Sequence, residues 1–103
     1  MKVFTAGAVK TAIARIDVDP AGLPCTAELW LSRDGVTKHA TSGQVNFTST
    51  GAQEDISLSV TMPAGGYLYS VYLDICIAGG LVGAYQGTDD IAIPTASNPE
   101  VVW

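Results

Sequence analysis

Apolar residues recur at every second position in segment after segment of this chain. That period belongs to β-strands, whose side chains alternate between two faces. The clearest case is Asp55-Ile56-Ser57-Leu58-Ser59-Val60-Thr61-Met62, which sets Ile56, Leu58, Val60 and Met62 on one side. Pro63 and the pair Gly65-Gly66 end it. From Tyr67 to Ile77 the alternation returns, with Tyr67, Tyr69, Val71, Leu73, Ile75 and Ile77 on one face. Gly79-Gly80 then gives a tight hairpin signal, and Leu81 to Ile93 reads as the returning strand, closed by Pro94. In the first half, Ala12, Ala14, Ile16 and Val18 alternate with Ile13, Arg15 and Asp17 before the turn Pro20-Ala21-Gly22-Leu23-Pro24. Cys25, Ala27, Leu29 and Leu31 alternate with Thr26, Glu28 and Trp30 before Arg33-Asp34-Gly35 turns the chain again. Weaker strands are expected over Thr37 to Thr41 and around Val45 and Phe47, and a first edge strand over residues 2–8. No window sustains the 3.6-residue period of a helix. Short strands at regular spacing, with turns between, predict an all-β chain: a two-sheet antiparallel sandwich of about seven strands.

A length of 103 residues fits one domain. The pattern divides it into a sandwich over residues 1–94 and a short C-terminal tail over residues 95–103. Hydrophobic residues make up 48% of the chain and charged ones only 15%, which excludes a disordered segment and predicts apolar surface left over for a neighbour. Net charge is −5, unevenly spread: the five basic residues all lie in the first 38 positions, beside four acids, and six acids follow with no Lys or Arg. Phosphate backbones and anionic membrane surfaces both select clustered cations, so neither nucleic acid nor a membrane surface is an expected partner. Lys10, Arg15 and Asp17 interrupt the N-terminal region, so no signal-peptide core is expected there, and no run approaches the length of a membrane-spanning helix.

The order of features has a family likeness. A strand of small apolar residues leads to CTAELWLSRDGVTKHA, then the polar turn STGAQED, the strand ISLSVTMP, the phrase PAGGYLYSVYLDI and a Gly-Gly hairpin. This arrangement, over roughly residues 9–94, resembles the immunoglobulin-like and fibronectin-like accessory modules of bacterial and phage surface proteins, including the cell-adhesion-related type. The resemblance implies an immunoglobulin-like sandwich acting as a spacer, adhesion element or decoration domain, on an extracellular surface or a virion. The chain departs from the antibody pattern, since Trp30 follows Cys25 by five residues on the same strand.

Catalytic chemistry finds no foothold. The single histidine, His39, sits in the polar stretch Thr37-Lys38-His39-Ala40-Thr41, and there is no G-x-S-x-G motif. Gly79-Gly80-Leu81-Val82-Gly83 links two strands, so it reads as a hairpin and not as a phosphate loop. Asp17 and Asp19 fall at the opposite end of the expected sandwich from Asp89-Asp90, and Asp34 beside Asp89 and Asp90 would still make a thin calcium site, so these read as ordinary solvated acids. Asn46-Phe47-Thr48 matches the glycosylation triplet, read here as a chance match. No cofactor or metal is expected, and the chain reads as a non-enzyme. Cys25 shares a face with Ala27 and Leu29, whereas Cys76 lies opposite Leu73 and Ile75, so the two thiols are expected to be free.

The outer face of one sheet is the most informative candidate site. With Leu29, Leu31, Val71, Leu73 and Ile75 inward, Trp30, Leu68, Tyr72, Val82 and Ala84 point outward beside Glu28. Outward aromatics in a charge-poor chain mark a partner-binding surface. The expected partner is protein, either a second copy or a larger surface assembly. The first strand and the C-terminal tail folding over the rings is an intramolecular alternative. Carbohydrate is the other, with rings stacking on sugar faces and Asp74, Glu28 or Gln86 bonding hydroxyls.

Overall fold

A computed structural model of the chain describes residues 3–77, 80–86 and 96–103, with backbone alone for 81–86 and 96–99. Among the described residues every regular element is a strand: β1 (Val9–Val18), β2 (Pro24–Ser32), β3 (Ala40–Thr41), β4 (Val45–Thr48), β5 (Gln53–Thr61), β6 (Ser70–Ile77), β7 (Gly80–Gln86) and β8 (Ala96–Val102). No helix among the described residues is long and apolar enough to cross a membrane.

The strands form two antiparallel sheets. One has the order β5-β1-β8; the other has the order β3-β2-β6-β7, with β4 also on β2. The alternation explains why each sheet turns one side into a shared core. On β1, Ala12, Ala14, Ile16 and Val18 are fully buried; β5 adds Leu58 and Val60, and β8 adds Val101. They share one core with Cys25, Ala27, Leu29 and Leu31 of β2 and Leu73 and Ile75 of β6. The two facing layers are therefore the inward halves of the predicted alternating segments.

Two serines hold the sheets where the ladders are interrupted. β3 and β4 occupy successive parts of one edge of β2, pairing Trp30–Leu31 and Pro24–Ala27 respectively. At the break between them, Ser42 Oγ accepts the Leu29 N–H at 2.9 Å and Ser42 N–H donates to the Leu29 carbonyl at 2.8 Å. Buried Ser49 ties the β1–β2 turn to the β4–β5 connection: its Oγ accepts the Leu23 N–H at 2.8 Å and donates to the Pro20 carbonyl at 2.6 Å.

Three expectations are corrected. Residues 3–8 do not form an edge strand. Thr5 to Ala8 is a turn closed by the Ala8 N–H on the Thr5 carbonyl, and Gly7 takes a φ of 79°, outside any strand conformation. The predicted β6 start at Tyr67 moves to Ser70, because Pro63 and Gly66 shape a longer loop. The loose tail is instead largely the strand β8, which completes the outer edge of β1. The end of the returning strand, residues 87–93, lies outside the described residues, as does Gly79 of the hairpin.

Candidate functional site

The β2–β6 register decides what the outer sheet face carries. Thr26 faces Cys76, Glu28 faces Asp74 and Trp30 faces Tyr72. Cross-strand neighbours on one face lie close enough to interact. The rings of Trp30 and Tyr72 stack with centroids 4.3 Å apart and 16° between planes. Trp30 nonetheless is only 7% exposed. Its direction agrees with the alternation; its openness to a partner does not.

The cover comes from the segment after β2, and Asp34 shapes it. Asp34 Oδ1 accepts the Val36 N–H at 2.8 Å, the Thr37 N–H at 2.7 Å and the Ser32 hydroxyl at 2.8 Å. The backbone hydrogen bonds from Thr37 and Val36, then that from Ser32, hold its carboxyl well below the usual carboxylate range. A Cβ at Gly35 would lie 3.3 Å from the Tyr72 hydroxyl, so a residue without one lets the turn approach the sheet. The turn returns Lys38 across the face. Its Nζ sits 5.5 Å from the Trp30 ring centroid, 2.8 Å from Glu28 Oε1 and 3.8 Å from Asp74 Oδ2. The Thr41 hydroxyl donates to Glu28 Oε2. Burial by itself would push the Glu28 carboxyl up; the hydrogen bonds from Lys38 and Thr41, with the Lys38 charge, outweigh it and hold the carboxyl below its ordinary value. The carboxylate of Glu28 is thus paired within the cluster, whereas the buried Trp30 Nε1 and Asp74 Oδ1 have no hydrogen-bond partner among the described residues, and Trp30, stacked on Tyr72 and 7% exposed, offers little ring surface for a sugar to stack on.

Leu68 occupies different ground. It lies in the β5–β6 loop and is 75% exposed. Tyr69 closes this loop by donating its hydroxyl to the Ala64 carbonyl at 2.9 Å. Tyr67, 55% exposed, meets Tyr69 edge-on and carries the Arg33 guanidinium 3.9 Å from its centroid. The loop forms one wall of a groove of about 470 Å³ whose floor includes Leu31, Met62 and Val71. The N-terminal arm forms another wall through Phe4 and Val3, the latter 87% exposed. Trp103 closes the groove, its ring 5.3 Å from that of Phe4.

Of the remaining predicted positions, Tyr72 and Ala84 fall at register positions on the face that carries Trp30. Tyr72 is half-buried beneath the Lys38 segment's turn. Ala84 stands opposite Asp74 in the register, while Val82 falls at an irregularity, between the partners of Ile75 and Cys76. His39 lies near Tyr69, edge-on at 5.8 Å, and its Nδ1 accepts the Arg33 N–H at 3.4 Å. Cys25 and Cys76 are both free, and burial pushes the Cys25 thiol up. They are one register position apart, on opposite faces of the sheet. Asp89 and Asp90 lie outside the described residues. Among the described residues, no group of three or more His, Cys, Asp or Glu side chains is arranged to hold a metal.

The groove is what sequence reasoning missed. Its signal was Pro63-Ala64-Gly65-Gly66-Tyr67-Leu68-Tyr69, apolar rings placed among turn formers and so outside the alternating core. The chain matches no family model, no curated protein and no solved structure.

Proposed function

We propose that this chain is a non-catalytic structural module of immunoglobulin-like type that packs into a larger surface assembly. Its contact surface is the groove between the N-terminal arm and the β5–β6 loop, in place of the sheet face around Trp30. The observation that carries this reading is the exposure of Val3, Tyr67 and Leu68 around an apolar floor. Fully burying a Val or Leu side chain is worth about 1.5–3 kcal/mol, and anchors of this kind, set in a pocket, dominate interface energetics. Arg33, stacked on Tyr67, supplies a polar rim. The two-layer arrangement, with β1 and β5 in one sheet and β2, β6 and β7 in the other, agrees with the immunoglobulin-like reading.

Light scattering over a concentration series tests the proposal, with Leu68→Asp alongside the natural chain. The mass of the natural chain rises with concentration, and the charged variant stays monomeric with an unchanged far-UV spectrum. A natural chain that remains monomeric throughout, or a Leu68→Asp chain that assembles equally well, refutes it.

A further inference from the structure

The two ends of the sandwich differ in shape and in charge. The ten residues of β1 span about 30 Å at the rise of a strand. The strands therefore run along the 42 Å axis of a body 22 × 21 Å across. The groove sits at one end of that axis, where β1 and β6 begin and β2 and β5 finish. The β1–β2 turn and the β4–β5 connection lie together at the other end.

At the groove end a cation stands over each of two walls. Lys10 Nζ is 5.9 Å from the Phe4 ring centroid on the N-terminal arm, and the Arg33 guanidinium is 3.9 Å from that of Tyr67 on the loop. Both residues are exposed, and among the described residues neither makes an ion pair. Asp34, the neighbour of Arg33, has its Oδ1 engaged by Val36, Thr37 and Ser32.

At the far end the balance reverses. Asp17, Asp19 and Glu54 gather where β1 ends and β5 begins, and residues 17–25 and 47–54 contain no Lys or Arg. One step back along β1, Arg15 is already shared by Asp55 and Glu100. Among these acids the crest Pro20-Ala21-Gly22 is exposed. The crest is held firmly. Besides the two bonds of Ser49 Oγ, the Gly22 N–H donates to the Ser49 carbonyl at 2.8 Å and the Gly51 N–H to the Val18 carbonyl at 3.2 Å. This end is thus a knob of small residues flanked by carboxylates, ordered before any partner arrives, so that binding it costs little conformational freedom.

A groove with a cationic rim and a knob with acidic flanks are complementary, and complementary charge selects partner and orientation. Groove-to-groove pairing of two copies would bring Lys10 and Arg33 of both into one contact, and knob-to-knob pairing would crowd the acids. Groove to knob is the arrangement in which the described charges of two copies attract. We propose that the groove of one molecule receives the β1–β2 turn of a second copy, with Asp19 and Glu54 of that copy approaching Lys10 and Arg33. This rests on the assembly reading above and names the partner and the part of it that enters. The two surfaces are different and lie at opposite ends. Each added copy therefore leaves one groove and one knob open, and addition repeats into a linear chain of molecules or, where the rotation closes, a ring.

Complementation between two blocked variants of the full chain tests it. Leu68→Asp blocks the groove, and Asp19→Lys reverses the charge of the knob; Ala21→Arg, at an exposed position of the same turn, is a second knob variant. All are checked by far-UV circular dichroism, and masses are read by light scattering and sedimentation velocity. The natural chain forms species larger than two copies, and each variant alone is monomeric. An equimolar mixture of Leu68→Asp with either knob variant gives a species of two chains and stops there, because the one remaining groove and the one remaining knob are both blocked. Raising NaCl from about 0.1 M to about 1 M, which shortens the screening length from about 10 Å to about 3 Å, weakens assembly of the natural chain several-fold. If both knob variants assemble like the natural chain while Leu68→Asp does not, the groove reading stands and the knob is overturned as its occupant. A mixture that stays monomeric, or assembly indifferent to salt, also overturns the groove-to-knob contact. If Leu68→Asp assembles as the natural chain does, or the natural chain is monomeric throughout, the groove reading falls and this proposal with it.

Discussion

Removing the Ser49 hydroxyl isolates one connection between the two halves of the fold. Ser49 is buried, and its Oγ both accepts from the Leu23 N–H and donates to the Pro20 carbonyl. Its own backbone bonds, from Gly22 N–H to the Ser49 carbonyl at 2.8 Å and from Ser49 N–H to the Leu23 carbonyl at 3.0 Å, survive substitution by alanine. Each lost hydrogen bond is worth roughly 0.5–1.5 kcal/mol, and a buried group left without a partner costs about 1–3 kcal/mol. The Leu23 amide and Pro20 carbonyl regain some solvent near the surface, so the sum falls near 2 kcal/mol. Urea unfolding followed by tryptophan fluorescence reads this directly. With a slope of about 1–3 kcal/mol per molar, the midpoint for Ser49→Ala falls by about 1 M with the slope unchanged. Ser57→Ala, at an exposed position of β5, is the control and stays within about 0.5 kcal/mol of the natural chain. If Ser49→Ala and Ser57→Ala unfold at the same urea concentration, the hydroxyl does not hold the turn and the reasoning fails.

Other consequences are as specific. Glu28 is held below its ordinary pKa in the fold, so its contribution is present above the unfolded carboxyl value, near 4.3, and disappears as pH falls through the lower folded value. Glu28→Gln therefore lowers stability at pH 7, by less than about 1 kcal/mol because Lys38 is solvated, and the difference from the natural chain narrows at an acid pH well below the unfolded carboxyl value. Urea titrations at both pH values check this, and a gap that persists in acid contradicts it. For the thiols, a colorimetric reagent modifies half-buried Cys76 in the native chain, while Cys25 reacts only after unfolding. Two thiols reacting at one rate in the native chain would show that Cys25 is not enclosed.

The sequence by itself determined the structural class and which side of each long strand is apolar. Period-two alternation is local, so Ile16, Leu29, Leu58, Leu73 and Ile75 announce a buried face without any knowledge of their neighbours. The same parity separates Cys25 from Cys76. Only the tertiary structure decided what lies over a face and what completes an edge. Trp30 is outward by parity, but its cover depends on Lys38, brought back by the Asp34 turn to reach Glu28 and Asp74. Ala96 to Val102 lacks alternation and contains a proline, so nothing local makes it a strand; its strand conformation comes from the free edge of β1, met across 85 residues at Arg15 and Glu100. Leu68 is exposed because Pro63 and Gly66 extend the loop before β6, taking it out of the strand that alternation had assigned to it. Local patterning fixes the side of a strand, whereas edges, covers and grooves are made by contacts between residues far apart in the chain, whose positions no local period encodes.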